Sequence, residues 1–311
     1  MDISVLIPTH NPHPGRLART LAGLRTQTLA PGRWETILID NASVPPVAPT
    51  DEAPAGVRIV REPELGLSSA RRRGVREATG PLCVFVDDDN VLHPDYLADV
   101  ARLFAAHPRL GAIGGRSMPE FESPPADWQR EFFDLLALRD LGAGALVAAE
   151  LRSPGAARNE YPPCAPIGAG MAVRREALLA WASGAKHDNL PDRRGTQLSS
   201  GGDNDIVFSV LEQGRHVGYF PELELTHLIP AARLSVSYLA RLNESVQRSW
   251  VHVLARHGAN PWPAIPRWSV GLRKAKAWWQ TRAWYSPAGY VRWRGRCGRL
   301  EGQADQASAV A

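Results

Sequence analysis

The apolar run at residues 82–86 is followed directly by three aspartates, Asp87, Asp88 and Asp89. An unbroken apolar run of this length is typical of a strand buried on both faces of a parallel sheet. Three adjacent carboxylates repel one another unless a cation or hydrogen-bond donors compensate them. Ligands of open α/β sheets bind outside the carboxyl ends of the strands. The run therefore predicts a divalent metal site that also holds a phosphorylated substrate, and the alternative is an acidic turn that ends a strand.

The first hundred residues alternate between strand and helix patterns. Strands are predicted at residues 3–7, 36–40, 57–60 and 82–86. Helices are predicted where apolar residues recur at helical spacing, at residues 17–27, at 68–78 and after Pro94. This alternation predicts an α/β fold with a doubly wound, mostly parallel sheet flanked by helices.

Beyond residue 110 the pattern is looser. It predicts a strand at 111–116, helices at 128–138, 175–181 and 203–212, and two short strands at 216–220 and 224–227. An amphipathic helix follows, and its apolar face consists of Leu239, Leu242, Val246, Trp250 and Val253.

Composition excludes several classes of protein. With 311 residues, 44% of them hydrophobic and 22% charged, the chain is globular and not disordered. No run reaches the roughly 18 apolar residues of a membrane span, and the N-terminus lacks the pattern of a signal peptide. Three widely spaced cysteines, Cys83, Cys164 and Cys297, predict reduced thiols in a cytoplasmic protein.

The C-terminal part of the chain is basic and rich in tryptophan. Residues 245–300 contain no Asp or Glu, eleven Lys or Arg and seven of the ten tryptophans, whereas the remainder holds 25 basic and 32 acidic residues. The densest part of this stretch contains Arg273, Lys274, Lys276, Trp278, Trp279 and Trp284. Such a pattern is typical of contact with an anionic membrane surface. The alternatives are a solvated helix that covers the core and a surface for acidic polysaccharide or nucleic acid.

Acidic residues recur at the ends of predicted elements. Asp40 ends the second strand, the three aspartates end the fourth, and Asp203 and Asp205 open a later helix. Neither the GxxxxGK[ST] phosphate loop nor a strand-linked GxGxxG is present. Phosphate charge would therefore be balanced mainly by metal and by arginine, for which the run Arg71, Arg72 and Arg73 is available.

Seven motifs, taken in order, resemble those of family 2 glycosyltransferases with the GT-A fold. They lie at residues 5–11, 39–43, 66–74, 78–80, 86–89, 168–171 and 201–205. The resemblance covers residues 2–235. It implies a GT-A catalytic domain at 1–235, with a nucleotide-binding half at 1–109 and an acceptor half at 110–235. Residues 236–311 then form a helical, basic, Trp-rich extension.

The resemblance also implies roles in donor binding. The residues implied to bind the nucleotide are Pro8, Thr9, Asn11, Asp40, Arg71, Asp87 and Asp88. Asp40 would accept a hydrogen bond from the base, and Arg71 would help to hold the nucleotide. Gly170, in the turn at 168–171, would let the backbone pass close to the donor sugar.

Metal binding and proton transfer are assigned in the same way. Asp89 would bind Mn²⁺ or Mg²⁺ at the donor diphosphate, and His227 would complete the metal shell. Asp203 matches the general base that takes the proton of the acceptor hydroxyl, with Asp205 as the second candidate. Asp203 also suits a helix first turn without any catalytic role. Gly202 stands where the family usually has Glu, a departure that bears on acceptor recognition.

The resemblance thus implies an inverting, metal-dependent glycosyltransferase. Its donor would be a nucleotide diphosphate sugar, UDP-linked by analogy, and its acceptor a glycan or lipid-linked glycan in polysaccharide biosynthesis. Because many such transferases use lipid-linked acceptors, peripheral contact with the inner face of the cytoplasmic membrane is expected, and no nucleic acid partner is. The alternatives are a sugar-1-phosphate nucleotidylyltransferase and a catalytically silent nucleotide-sugar-binding protein.

Overall fold

The computed structural model describes residues 1–48, 53–151, 157–183 and 201–309. The strands are β1 (Ile3–Thr9), β2 (Trp34–Asn41), β3 (Arg58–Glu62), β4 (Leu82–Phe85), β5 (Asn90–Leu92), β6 (Leu110–Phe121), β7 (Leu146–Ala148), β8 (Ala172–Arg174) and β9 (His216–Ile229). The α-helices are α1 (Pro14–Arg25), α2 (Leu67–Glu77), α3 (Tyr96–Ala106), α4 (Arg175–Ser183), α5 (Gly202–Glu212), α6 (Val236–Arg256), α7 (Val270–Thr281) and α8 (Pro287–Ala309). Short 3₁₀ helices cover Asp127–Leu136, Ala231–Leu234 and Arg267–Ser269.

All nine strands belong to one sheet, in the order β3-β2-β1-β4-β8-β6-β9-β5, and β7 pairs with β9. The first four strands in this order are parallel, and β6 and β9 are also parallel. The predicted fold class is therefore confirmed. Because Leu6 of β1 pairs with Phe85 of β4, Thr9 lies level with Asp88 just beyond the end of β4. The register of this pair thus brings the first loop and the acidic run together.

The sheet has a core on each face. Alternate residues of β1, Ile3, Val5 and Ile7, pack in one apolar cluster with residues of α1 and α3. Leu6 points the other way, into a second cluster with residues of α2, α4 and α5. A strand that is covered on both faces is expected to be mostly apolar, and β1 is so apart from Ser4 and Thr9.

Two predicted elements differ from the structure. The two short strands predicted at 216–220 and 224–227 are one strand, β9, because the pairing shifts register opposite Gly115 of β6. A Cβ atom at Gly115 would collide with the carbonyl oxygens of Phe220 and Leu223, so the bulge requires glycine. The helix predicted at 128–138 is a 3₁₀ helix, whose first turn is tightened by the hydrogen bond from the Ala126 amide to the Gln129 side chain at 2.6 Å.

The C-terminal extension is helical, as predicted. Asn243 of α6 donates a hydrogen bond to the carbonyl oxygen of Val291 of α8 at 3.0 Å, and α8 runs parallel to α6. Helix α7 runs back along α8, where Trp293 Nε1 donates to the carbonyl oxygen of Lys274 at 3.1 Å. Leu239 and Val291 pack with Phe132 of the first 3₁₀ helix, which attaches the extension to the sheet domain. Within the described ranges, no helix has the length and apolar character needed to cross a membrane.

We predict that Gly298→Ala lowers the free energy of unfolding by about 2 kcal/mol, because its Cβ would overlap the backbone carbonyl of Glu244 on α6. Gly271→Ala on α7 is the matched control, since nothing lies within 4 Å of the added atom. Alanine favours the helix by roughly 0.5–1 kcal/mol, so the control should be neutral or stabilising. Urea denaturation of both variants measures the difference, and equal effects would contradict the close packing of α6 and α8.

Candidate functional site

A cavity of about 370 Å³ lies at the carboxyl ends of β1 and β4. One wall comes from the sheet, and the opposite wall comes from the first 3₁₀ helix and the start of α6. The predicted site residues in its lining are Pro8, Thr9, Asp87, Asp88, Asp89 and His227. The lining residues that sequence reasoning missed include His10, Asn41, Leu136, Arg233 and Tyr238. The fold therefore brings the acidic run to the edge of the sheet where a ligand is expected.

Strand pairing brings Asp89 and His227 together. Asn90 of β5 pairs with His227 of β9, and the amide of Leu228 donates to the carbonyl oxygen of Asp89 at 2.9 Å. The side chains meet as a result, with His227 Nε2 3.4 Å from Asp89 Oδ1. Both residues are buried, and His227 Nδ1 has no hydrogen-bond partner among the described atoms. The two side chains predicted as metal ligands are thus adjacent.

A cation of the chain itself, Arg233, already lies beside this pair. Its Nη2 atom is 2.8 Å from Asp89 Oδ2, and its Nη1 atom is 3.1 Å from His227 Nε2. Burial would lower the pKa of Arg233, but the charges of Asp89 and its acidic neighbours raise it above the ordinary value. Sequence reasoning missed Arg233, because it lies in the short 3₁₀ helix after β9 and nothing in its spacing from His227 predicts the contact. The only signal was the general need of a buried carboxylate for a cation.

Asp88 is held in a different way. Thr9 Oγ1 donates a short hydrogen bond to Asp88 Oδ2. Burial and, to a smaller extent, the charge of the neighbouring Asp89 carboxylate raise the pKa of Asp88 to about 7. The hydrogen bond from Thr9 opposes this shift. This carboxylate therefore takes up or releases a proton near neutral pH unless a cation enters the cavity.

Asp40 and Asn11 lie outside the cavity lining and hold the two neighbouring loops. Asp40 accepts hydrogen bonds from the Ser43 amide at 3.0 Å and from Arg61 Nη1 at 2.6 Å. Burial would raise the pKa of Asp40, but the hydrogen bonds from Ser43 and the charge of Arg61 bring it below its usual value. Asn11, at φ 48°, accepts a hydrogen bond from the Val44 amide at 2.8 Å. The predicted contact between Asp40 and a nucleobase stays a prediction.

Arg71 and Asp203 meet at the glycine turn. The Gly168 amide donates to Asp203 Oδ2 at 3.0 Å. A Cβ atom at Gly168 would lie 2.8 Å from Arg71 Nη2 and 3.1 Å from Asp203 Oδ2, so both side chains border this turn. Arg71 is buried over the ring of Phe85, and its Nε has no hydrogen-bond partner among the described residues. These three residues lie outside the cavity lining.

Gly170 is required by its surroundings. Its φ is +74°, and its carbonyl oxygen accepts a hydrogen bond from Tyr96 Oη at 2.6 Å. A Cβ atom would lie 2.5 Å from Tyr96 Oη and 2.6 Å from Leu225 Cδ2. The turn therefore needs glycine for both conformation and space.

Asp205 points away from Asp203, because residues two apart on a helix lie about 200° apart. It is buried and accepts hydrogen bonds from Trp181 Nε1 at 2.7 Å and from His257 Nε2 at 2.9 Å. These contacts tie α5 to α4 and to the end of α6. The structure thus separates the two aspartates that the sequence offered as general bases.

The sequence profile described as glycosyl transferase family 2 matches residues 4–179, more than half of the chain. The chain belongs to glycosyl transferase family 2. The matched region contains the cavity residues of β1, the acidic run and the glycine turn, whereas Asp203, His227 and Arg233 lie beyond it.

Relatives of this family 2 chain carry transferase names. A validoxylamine A glucosyltransferase of Streptomyces hygroscopicus subsp. limoneus is 36% identical over 110 residues, 34% of this chain and 23% of the relative. An N-acetylglucosaminyltransferase of Sinorhizobium fredii is 26% identical over 241 residues, 74% of this chain and 53% of the relative. The chain thus spans at most about half the length of these two relatives.

A solved structure shares the fold. Residues 1–349 of TarS from S. aureus superpose with a TM-score of 0.50 at 12% identity, covering 99% of this chain and 92% of that one. TarS was also solved in complex with UDP, and the same values describe that match. At this identity the likeness shows the fold alone.

We predict that Asp88→Asn stabilises the protein at pH 8, by about 2 kcal/mol, and leaves stability at pH 4 nearly unchanged. The pKa of Asp88 is raised, so the folded state binds a proton that the unfolded state loses above pH 4, and stability falls as pH rises towards 7. The amide removes this loss. Urea denaturation in the presence of EDTA measures it, with the exposed Asp127→Asn as a control for net charge. An equal gain at both pH values would contradict the raised pKa.

Proposed function

We propose that the protein is an inverting, metal-dependent glycosyltransferase. It moves a hexosyl group from a nucleotide diphosphate sugar, with UDP as the carrier, to a hydroxyl group of a glycan or lipid-linked glycan. The observation that carries the proposal is the cavity at the ends of β1 and β4, lined by Thr9, Asp87, Asp88 and Asp89 in a family 2 fold. The names of the glucosyl- and N-acetylglucosaminyl-transferring relatives and the UDP complex of TarS support the choice of donor.

Asp203 is the residue we propose as the general base. It lies at the N-terminus of α5, beside the glycine turn and Arg71, and it is half-buried, whereas Asp205 is occupied by Trp181 and His257. Asp203 would take the proton of the acceptor hydroxyl, whose oxygen attacks the anomeric carbon. The new C–O bond forms as the bond from that carbon to the diphosphate oxygen breaks, so the anomeric configuration is inverted.

The donor set fits a manganese ion at Asp89 and His227. A carboxylate and an imidazole suit Mn²⁺ better than Mg²⁺, and their 3.4 Å separation allows both to bind one ion. Within the described ranges, no cluster of three or more His, Cys, Asp or Glu side chains is arranged to hold a metal. The other ligands would therefore be diphosphate and water. When bound, the ion would neutralise the charge of the departing diphosphate.

Arg233 must then move from Asp89, since its guanidinium contacts both proposed ligands. Released from the carboxylate, it remains at the cavity wall, where a guanidinium is suited to the diphosphate oxygens. Arg71 supplies a second positive charge near the glycine turn. Arg233 at the cavity wall, with Arg71 outside the cavity lining at the glycine turn, would thus balance the donor phosphates in place of a phosphate-loop lysine.

We also infer that the protein is cytoplasmic and acts in polysaccharide biosynthesis at the inner face of the membrane. The free cysteines among the described residues are all buried, which is compatible with a reducing compartment. No specific observation favours nucleotidylyl transfer. Silent binding has only Gly202, in place of the usual Glu, in its favour.

We predict that Asp203→Asn lowers kcat by about 10²–10⁴-fold, the usual contribution of a general base, and leaves the unfolding temperature unchanged. Asp205→Asn on the same helix is the matched comparison. It should retain turnover but lower the free energy of unfolding by about 2 kcal/mol, because two buried hydrogen bonds are disturbed. UDP release from UDP-glucose and UDP-N-acetylglucosamine, with thermal unfolding of each variant, measures both. Loss of turnover in the Asp205 variant alone would move the base to Asp205.

We predict that UDP raises the unfolding temperature more in the presence of Mn²⁺ than in EDTA, and more than GDP or TDP does.

Calorimetric titration with Mn²⁺ alone should show about tenfold tighter binding to Arg233→Gln than to the parent protein, because a competing cation is removed. The exposed Arg130→Gln is the control for charge. Weaker binding to Arg233→Gln would contradict the competition between Arg233 and the metal.

A further inference from the structure

The 3₁₀ helix Arg267–Ser269, the helix α7 that continues it and the turn after α7 expose five large apolar side chains. They are Trp268, Leu272, Trp279, Trp284 and Tyr285, which are 78%, 71%, 69%, 51% and 80% exposed. Leu272 and Trp279 are seven residues apart and therefore share one side of α7, and Trp268 lies in the 3₁₀ helix that leads into α7. We call these five side chains the aromatic face. Scattered exposed apolar residues are ordinary on a protein surface, but several grouped along one helix and the segments at its two ends indicate an interaction site.

The surroundings of the aromatic face are positively charged. Arg273, Lys276 and Arg282 are exposed on the same helix and turn, and no acidic residue occurs between Ser245 and Leu300. The nearby acids of α8 are engaged, since Glu301 contacts Lys274, and Asp305 is paired with Arg248 at 2.8 Å. Arg282 adopts a left-handed φ of 50° at the end of α7, where glycine is the usual residue. The surface around the aromatic face thus keeps its positive charge.

The tryptophans of the extension divide into an inner and an outer set. Trp278 lies against Trp293, with ring centroids 4.8 Å apart, and Tyr290 completes this cluster between α7 and α8. Lys274 is likewise engaged with Glu301. Trp278 and Lys274, which the sequence pattern grouped with a membrane-binding segment, therefore serve packing. The outer set is the one available to a partner.

One end of the aromatic face is connected to the cavity wall through the start of α8. Trp284 and Tyr285 lie in the turn before α8, whose Ala288 and Val291 pack in the same apolar cluster as Leu136 of the first 3₁₀ helix. Leu136 lines the cavity. The turn is thus linked to the cavity wall by the packing of α8 on the first 3₁₀ helix, and α7 is about 18 Å long at the rise of an α-helix.

We propose that α7 lies in the plane of an anionic lipid surface, with its aromatic face in the interface and Arg273, Lys276 and Arg282 against the lipid phosphates. Tryptophan and tyrosine favour the boundary between headgroups and acyl chains, and basic residues beside them favour anionic lipids. The start of α8 links this surface to the wall of the cavity. Its use for a lipid-linked acceptor rests on the proposed function, whereas docking itself does not.

Charge argues for lipid over a second copy of the chain. A symmetric pair through this face would place the same basic residues of both copies against each other. An acidic polysaccharide would match the charge but would leave Leu272 exposed to water. A bilayer satisfies both the charged and the apolar parts of the surface.

The test is co-sedimentation of the full chain with vesicles of phosphatidylcholine alone or with phosphatidylglycerol added. We expect binding to the anionic vesicles that weakens with salt. Lys276→Glu with Arg273→Glu should weaken it by more than about fivefold per charge removed. Trp268→Ser with Trp279→Ser and Tyr285→Ser should weaken it by at least about tenfold. The control is Arg109→Glu with Arg130→Glu, two exposed arginines outside α7, which should leave binding near the parent value.

The stabilisation by UDP, measured for every variant, separates this proposal from the previous one. Vesicle binding without any response to nucleotides would overturn the proposed donor and leave the docking surface intact. Response to UDP without vesicle binding would overturn the docking surface alone. Docking is also overturned if both sets of variants bind vesicles as the parent does. The same holds if the aromatic face instead binds an acidic polysaccharide, or forms a dimer that the tryptophan variants dissolve.

Discussion

The site depends on how the fold compensates three adjacent carboxylates at the end of β4. Each finds a different environment. Asp88 accepts a hydrogen bond from the hydroxyl of Thr9 on the neighbouring strand. Asp89 forms an ion pair with Arg233 and lies against His227, and Asp87 lines the cavity. The compensation stays incomplete, because burial and the Asp89 charge still raise the pKa of Asp88 to about 7. A site with residual negative potential at a sheet edge is suited to draw in a cation together with a phosphorylated ligand.

The C-terminal extension also contributes to the wall of the cavity and to its support. Tyr238 of α6 lines the cavity, and Leu239 and Val291 pack with the 3₁₀ helix that forms its far wall. His257, at the end of α6, holds Asp205 two residues from the proposed base. Glycines at positions 298 and 302 let α8 approach α6 closely, and α7 packs on the other side of α8. The basic segment therefore shapes the site as well as the surface next to it.

Much of the sheet domain was predictable, because β1, β2 and β4 are largely buried and appear in the sequence as short, mostly apolar runs. The parallel sheet formed by β1, β2, β3 and β4 and the position of the acidic run were predicted from that pattern, whereas the order of the strands was not. The long β9 was not predicted, since its continuity depends on a bulge at Gly115 of the partner strand. The difference between Asp203 and Asp205 was also hidden, because the partners of Asp205, Trp181 and His257, are 24 and 52 residues away.

The sequence alone established the fold class, the acidic strand end and the basic, tryptophan-rich C-terminal part. These properties follow from residues adjacent in sequence or related by helix and strand periods. Which charged and aromatic side chains contact one another depended on the tertiary structure. Arg233 reaches Asp89 because β9 pairs with β5, and Trp278 turns inward while Trp279 turns outward because α8 covers one side of α7. Such contacts join residues far apart in the chain, so they arise only when the sheet order and the helix packing are in place.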